Sequence, residues 1–293
     1  MKGIILAGGR GSRLFPATQA VSKQLLPIYD KPLIYYPLSV LMLADIRDIL
    51  IIATPDALPA FQRLFGDGAH LGMNISYAEQ DEPRGIAHGL LLGAEHAAGG
   101  QVALVLGDNI FQGTGFSQVL TDARKDLDGC VLFGYPVPDP HRYGIAELDE
   151  AGRLVSVEEK PSNPKSDQAI TGLYFYANDV FDIARGIEPS DRGELEITDV
   201  NRVYVDRGRG QLIPLGRGFA WLDAGTHESL LEAGQYVRTL EHRQAMKIAC
   251  IEEIALRMDF ITSDACYELG HTMIDSAYGR YVMEVARTLA SSS

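Results

Sequence analysis

The chain opens on a short apolar run, Gly3-Ile4-Ile5-Leu6-Ala7, that passes without a break into Gly8-Gly9-Arg10-Gly11-Ser12-Arg13-Leu14. A buried strand ending in a glycine-rich, arginine-bearing loop presents backbone N–H groups to an anion, because residues without a Cβ let the backbone approach closely. The pattern predicts a phosphate cradle at the end of a sheet strand. It is not a P-loop, which needs a Lys-Ser/Thr pair after its second glycine to reach the terminal phosphates and a metal. Nor is it a dinucleotide fingerprint, since Leu14 stands where the third glycine after Gly9-x-Gly11 should be. A plain strand-to-helix turn accommodates such glycines as well.

In 293 residues, 46% hydrophobic and 22% charged, there is enough apolar chain for one large α/β domain or two smaller ones. A net charge of −13 disfavours nucleic acid or an anionic membrane as a general partner, because most of such a surface repels phosphate. The charge is unevenly placed, however: residues 1 to 31 hold Lys2, Arg10, Arg13, Lys23 and Lys31 against Asp30 alone. A basic segment around the glycine loop of an acidic chain suits a small anion. Cys130, Cys250 and Cys266 show no C-x-x-C spacing, so they are expected as small buried residues rather than as a disulfide framework or zinc site. There is no H-E-x-x-H, and His88 and His96 are too far apart for a helical ligand pair. No charged-then-apolar leader precedes the loop and no apolar run approaches the roughly 20 residues of a membrane span, so the expected location is the cytoplasm.

Strands are expected at 3–7, 48–53, 74–79 and 102–106, with helices between them at 37–45, 57–65 and 85–97. That alternation predicts a parallel, doubly covered sheet with right-handed crossovers, whose ligands bind beyond the carboxyl ends of the strands. From residue 130 the rhythm changes. Cys130–Val137, Gly144–Leu148, Leu154–Glu159 and Ala169–Tyr176 read as strands with turns between them, in an antiparallel or mixed arrangement. A helix from about Leu195 to Asp206, strands at 211–215 and Phe219–Leu222, and helices at Glu228–His242, Ile251–Met258 and Ser276–Arg287 complete the expectation.

Two aspartates stand out by position. Val102–Leu106 runs into Gly107-Asp108-Asn109, and Phe219–Leu222 into Asp223-Ala224-Gly225-Thr226, so each places a carboxylate at the tip of a strand. Mg²⁺ is commonly held by one or two carboxylates together with substrate phosphates and waters, and two such aspartates meeting at one sheet edge suffice. Turn or N-cap duty is the other role open to each of them.

The motifs Leu6–Leu14, Ser22-Lys23-Gln24-Leu25-Leu26-Pro27, Asp30-Lys31-Pro32, Gly107-Asp108-Asn109, Val157–Pro161, Gly193–Asp199 and Trp221–Thr226 together resemble the sugar-phosphate nucleotidylyltransferases, in order and over nearly the whole chain. The resemblance implies a Rossmann-like three-layer α/β/α fold with a mostly parallel central sheet, a smaller β-rich sugar-binding part and C-terminal helices. It implies a catalytic domain over 1–225, with a nucleotide-binding half at 1–110 and a sugar-phosphate-binding half at 130–225, followed by a helical appendage at 226–293 for oligomerisation or regulation. The implied reaction is Mg²⁺-dependent attack of a sugar 1-phosphate on the α-phosphorus of a nucleoside triphosphate, here dTTP and glucose 1-phosphate, giving dTDP-glucose and pyrophosphate. UTP, another sugar 1-phosphate, or a non-catalytic nucleotide-sugar sensor on the same fold are the alternatives; a nicotinamide enzyme is disfavoured by the missing glycine and by Lys23.

On that resemblance Arg13, Lys23, Asp108 and Lys160 are the catalytic residues, and Asp108 with Asp223 would hold Mg²⁺. Leu6, Gly8, Gly9, Gly11, Ser12, Arg13, Gln24, Gln80, Pro83, Gly85 and Asp108 would bind the nucleotide, with the Gln80 amide matched to the donor–acceptor edge of thymine or uracil. Tyr143, Gly144, Glu159, Lys160, Thr171, Gly172 and Tyr174 would bind the sugar phosphate, and the C-terminal helices would help to form a homotetramer with a secondary, inhibitory nucleotide site. One segment departs from the pattern: where the family commonly has Asp-Gly-Leu-Ala-Gln-Ala, this chain has Arg84-Gly85-Ile86-Ala87-His88-Gly89.

Overall fold

The opening run forms β1 (Lys2–Ala7), and its position in the sheet determines where everything else must go. The computed structural model describes residues 1–291, so the last two residues of the 226–293 segment lie outside the described residues. After β1 come a short hairpin, β2 (Pro27–Ile28) and β3 (Lys31–Pro32), then α1 (Tyr35–Leu43), β4 (Asp48–Ala53), α2 (Leu58–Phe65), β5 (Asn74–Glu79), α3 (Ile86–Ala97) and β6 (Val102–Leu106). These alternating elements build a parallel sheet in the order β6-β1-β4-β5. Ile4, Ile5, Ile51, Ile52 and Val105 are fully buried, as expected for parallel strands covered on both faces. Each such side chain contributes about 1.5–3 kcal/mol by leaving water.

The chain steps from β1 outward to β4 and β5, then returns to the other side of β1 for β6. The point where the order reverses therefore lies beyond the ends of β1 and β6, where α/β sheets bind ligands. Leu6 pairs with Leu106 in that register, and Gly107 N–H donates to the Leu6 carbonyl at 2.9 Å. The glycine loop and Asp108 thus leave the sheet side by side.

The second half adds β7 (Asn109–Gly113), α4 (Phe116–Arg124), β8 (Cys130–Pro136), β9 (Gly144–Leu148), β10 (Leu154–Glu159) and β11 (Gln168–Tyr176), then α5 (Val180–Arg185), α6 (Ile197–Asp206), β12 (Gly210–Pro214) and β13 (Phe219–Asp223). β11 runs antiparallel to β6, β9 and β8, while β12 is parallel to β8, so this half is mixed. A register shift in the β11–β8 ladder falls between Ile170 and Tyr174, and the irregularity opens the strand at Thr171-Gly172. β7, α4 and α5 fill stretches for which the sequence pattern gave no element. Among the described residues β7 pairs only with β13, in an antiparallel ribbon off the main sheet.

α7 (His227–Gln244), α8 (Ile251–Arg257), α9 (Ser263–Thr272) and α10 (Ala277–Ala290) follow. α7 starts in a capping box: Ser229 N–H donates to Thr226 Oγ1 at 3.2 Å and Thr226 N–H donates to Ser229 Oγ at 3.0 Å. Its Ala233 and Val237 pack with Ile28, Tyr36 and Ile110, so part of its apolar face is covered by this chain itself, while Leu231 is 59% exposed. A partly buried charge cluster fixes the other end of α7: Lys31 Nζ lies 2.6 Å from Asp30 and 2.8 Å from Glu241, and Lys247 bonds to both carboxylates. All three cysteines are buried and unbridged, as the spacing predicted. No helix of the described residues is long and apolar enough to cross a membrane.

Candidate active site

The glycine loop is held from below. A Cβ on Gly8 would lie 2.0 Å from Gln80 Oε1, so only glycine lets the loop backbone rest on the Gln80 amide. Gly11 takes φ +60° to enter the single 3-10 turn Ser12–Leu14, Thr18 Oγ1 donates to its carbonyl at 2.7 Å, and Leu14 is driven into the core. Gly9, Ser12 and Arg13 are left facing outward. Lys23 and Gln24 are the opposite case, 6% and 4% exposed. Lys23 Nζ donates to the Asp108 carboxylate, and Gln24 Oε1 accepts from Ser22 Oγ at 2.7 Å. An acidic strand tip and a buried lysine from separate parts of the chain are therefore paired at the mouth of the loop.

The two strand-end aspartates are brought together by the β7–β13 ribbon. Asn109 stands opposite Asp223 in its register, and Ala224 N–H donates to the Asp108 carbonyl at 3.1 Å. Burial, and then the neighbouring Asp108 carboxylate, push the Asp223 carboxyl above its ordinary range, against the opposing pull of Lys23, Arg13 and Arg142. Arg13 reaches this point too, its Nη2 standing 3.4 Å from where a Cβ on Gly225 would be.

Beyond the aspartates lies a cavity of about 240 Å³ whose wall includes Arg13, Asp108, Asp223, Tyr143, Gly144, Glu159, Lys160, Gly172 and Tyr174. Catalytic, metal and sugar-phosphate candidates from six separated segments thus share one wall. Thr171 does not: it is fully buried, and its Oγ1 has no partner among the described residues. Lys160 holds φ +43°, a strained conformation for a side-chain-bearing residue, fixed by its N–H donating to the Tyr143 carbonyl at 3.0 Å. Glu159 is oriented by Thr198 Oγ1, which donates to it at 2.6 Å, and by Lys160 and Arg192 at 3.3 and 3.4 Å. Tyr174 stacks on Tyr176 with centroids 6.0 Å apart, so it serves the wall and the core together.

Sequence reasoning missed several of the supporting residues. Asn109 is the hub: its Nδ2 donates to Asp108 Oδ1 at 3.0 Å, while its Oδ1 accepts from Trp221 Nε1 at 2.6 Å and from Gly172 N–H at 3.0 Å. A Cβ at Gly172 would come within 2.6 Å of that oxygen. Trp221 in turn meets Tyr143 edge to face at 5.2 Å. Arg142 and Thr198 also line the cavity. The signals were present, in Gly107-Asp108-Asn109 and in the single tryptophan beside Asp223, but their partners lie about a hundred residues away.

The remaining nucleotide candidates lie on the far side of the loop. Gln80 directly follows β5, is 3% exposed, and its Nε2 stands 3.2 Å from His88 Nδ1. Pro83 is exposed, and Gly85 has φ +95° with a would-be Cβ 2.4 Å from the Leu195 carbonyl oxygen. Leu6 is half-buried beneath the loop. Gly9 and Arg10 border a wider groove of about 580 Å³ that includes Thr18, Ser22, Thr54 and Asp81. The loop therefore separates two concavities, and Gln80 lies under the ridge between them.

A metal fits the donor set without being a closed cage. Asp108 and Asp223 supply hard oxygen donors, and no group of three or more His, Cys, Asp or Glu arranged for a metal exists among the described residues. That is the pattern for Mg²⁺, which leaves positions for phosphate oxygens and water, and not for structural zinc.

Comparison with known proteins agrees with this geometry. The nucleotidyl transferase family model matches residues 2–239. A glucose-1-phosphate thymidylyltransferase of Neisseria meningitidis is 53% identical over 98% of this chain and 100% of its own length. The protein of that name from Mycobacterium tuberculosis is 53% identical over 97% of this chain and 99% of its own. A crystal structure of a Bacillus anthracis protein described as a glucose-1-phosphate thymidylyltransferase, in complex with sucrose, superposes with a TM-score of 0.75 at 39% identity, covering 81% of this chain and 95% of that one. A UDP-glucose pyrophosphorylase structure, 24% identical with a TM-score of 0.71 over 81% of this chain and 98% of that one, shares the fold. The chain belongs to the nucleotidyl transferase family, and within it to the glucose-1-phosphate thymidylyltransferases.

Proposed function

We propose that the chain transfers the thymidylyl group of dTTP to glucose 1-phosphate by direct attack of the sugar phosphate on the α-phosphorus, releasing pyrophosphate. The observation that carries this reading is the single wall on which Arg13, Asp108, Asp223 and Lys160 meet, beside a glycine loop at the reversal point of the sheet. Two polyanions must be brought together there, and positioning with charge neutralisation supplies most of the rate.

Arg13 is assigned to the triphosphate, where a planar fork of donors steadies the α-phosphoryl group and the departing pyrophosphate. Lys23, already buried against Asp108, adds a point charge on the same side. The loop N–H groups of Gly8, Gly9, Gly11 and Ser12 cradle the phosphates, with Leu6 and Gln24 beneath them. Gln80 reads the pyrimidine edge, and Pro83 and Gly85 complete that side. Across the cavity Lys160 binds the phosphate of the sugar, Glu159 accepts from sugar hydroxyls, and Tyr143, Gly144, Gly172 and Tyr174 shape the pocket, with Thr171 buried behind its wall. Asp108 and Asp223 would hold Mg²⁺, which when bound neutralises phosphate charge and polarises the α-phosphoryl oxygens.

The catalytic unit is assigned to 1–225, split at about residue 110 between nucleotide and sugar-phosphate halves. The 226–293 segment is assigned to homotetramer assembly and to a secondary nucleotide site. Supporting the first of these, Leu231 stays exposed on the side of α7 turned away from the packed Ala233 and Val237. Direct displacement is tested by mixing the protein with dTTP and Mg²⁺ alone. No pyrophosphate should appear until glucose 1-phosphate is added; one equivalent released beforehand would mean a covalent nucleotidyl-protein.

A further inference from the structure

His88, in the segment 84–89 that follows β5, touches a proposed substrate-reading residue. It lies in the first turn of α3, which is pressed against β1 through two glycines: a Cβ on Gly89 would meet Leu6 at 3.1 Å, and one on Gly93 would meet Ile4 at 2.2 Å. The helix backbone therefore cannot back away from the sheet, and His88 is held beside the end of β5. Its Nδ1 stands 3.2 Å from Gln80 Nε2, and the other end of the same amide, Oε1, rests on Gly8. Gln80 is 3% exposed, so its side chain is held among these neighbours and has little freedom to turn.

The imidazole has a definite character here. Burial, and then the Arg84 guanidinium, push His88 below its ordinary value, and the positive end of α3 acts in the same direction. A neutral imidazole carries one N–H and one bare nitrogen. An amide nitrogen has no lone pair to offer, so the contact is a hydrogen bond only when Nδ1 is bare and accepts from the Gln80 amide.

We infer that His88 is a positioning residue for pyrimidine selection: its bare Nδ1 accepts one N–H of Gln80 and so fixes the order in which the Gln80 amide presents its remaining N–H and its Oε1. That order matters because thymine and cytosine carry opposite patterns on the edge that an amide reads. Thymine offers an N3–H donor beside an O4 acceptor; cytosine offers an N3 acceptor beside an N4–H donor. An amide rotated by half a turn exchanges one complement for the other. A glutamine at position 88, whose amide can turn to donate or accept, sets no such preference, whereas a neutral histidine with Nδ1 bare does. The inference rests on the proposed reading of Gln80 as the base-contacting residue.

Two measurements test it. The first needs no substrate: ¹⁵N spectra of histidine-labelled protein at neutral pH, with the His88 signals assigned by their loss in His88→Asn. They should show Nε2 protonated and Nδ1 bare; a proton on Nδ1 would overturn the inference. The second is the ratio of kcat/KM for dTTP to that for dCTP. In His88→Leu the ratio should narrow about tenfold, the worth of one buried hydrogen bond, mainly through KM for dTTP with kcat within about twofold. His88→Asn, which can present its Oδ1 to the same N–H, should recover most of the ratio. An unchanged ratio in His88→Leu, alongside a collapsed ratio in Gln80→Leu, overturns the role of His88 alone. An unchanged ratio in Gln80→Leu overturns the base-reading role of Gln80 and this inference with it.

Discussion

Asn109 and Asp223 face each other across the antiparallel β7–β13 ribbon, and this register, not nearness in sequence, sets Asp108 beside Asp223. Two carboxylates so placed repel each other until a cation joins them. Asp108→Asn and Asp223→Asn are each expected to lower turnover about 10²-fold, the order of magnitude for losing one preorganised electrostatic element, with the fold retained by circular dichroism.

The raised Asp223 carboxyl carries a stability signature of its own. A folded-state value above the unfolded 3.8 contributes stability that is present at low pH and is lost as pH rises through the folded value. At neutral pH the ionised group therefore opposes folding in the metal-free protein. Asp223→Asn should raise the unfolding temperature of metal-free protein at pH 7 even as it lowers activity, and Mg²⁺ should stabilise the wild type more than the variant. Because protons compete for the same oxygens, the Mg²⁺ concentration needed for half-maximal rate should rise as pH falls. Calorimetry and a Mg²⁺ titration at several pH values check both.

Arg13→Lys is expected to cost about tenfold or more in kcat, because an ammonium cannot reproduce a bidentate fork on phosphate. Arg13 is exposed and lies on the loop surface, so the unfolding temperature should stay near wild type. Steady-state kinetics with a parallel thermal melt separate the two effects.

The cluster of Asp30, Lys31, Glu241 and Lys247, with Lys31 and Glu241 buried at its centre, ties the β2–β3 hairpin to the end of α7. Glu241→Gln leaves the buried Lys31 and the half-buried Lys247 to share Asp30 alone, a loss of about 3 kcal/mol in urea unfolding. Burial opposes ionisation of Asp30, but Lys31 and Lys247 outweigh it and hold its carboxyl below the ordinary range. Its contribution is thus present above the unfolded value of 3.8 and is lost as pH falls through the lower folded value, so the wild type should lose stability on acidification below about pH 4.

Much of this site was legible in the sequence, and the boundary is physical. β4, β5, β6, β9 and β10 fall on their expected residues, because apolar runs bounded by turns are local signals. The glycine loop, Lys23, Asp108, Lys160 and Asp223 were each marked by a motif. What stayed hidden depends on long-range register: β7 gives no signal of its own and becomes a strand only because β13 pairs with it, and Asn109 becomes a hub only once Trp221 and Gly172 arrive. α9 was missed because its buried face is thin, with only Cys266 and Gly270 fully inside. Thr171 illustrates the converse, since its place in a motif did not reveal that its side chain points away from the cavity wall.

The most direct test of the account is a matrix of dTTP, UTP, dCTP and dATP against glucose 1-phosphate and other sugar 1-phosphates, read by pyrophosphate release with and without Mg²⁺. Turnover should require Mg²⁺ and both substrates and be fastest for dTTP with glucose 1-phosphate. Binding of nucleotide or sugar phosphate with no pyrophosphate released in any cell of the matrix would contradict it.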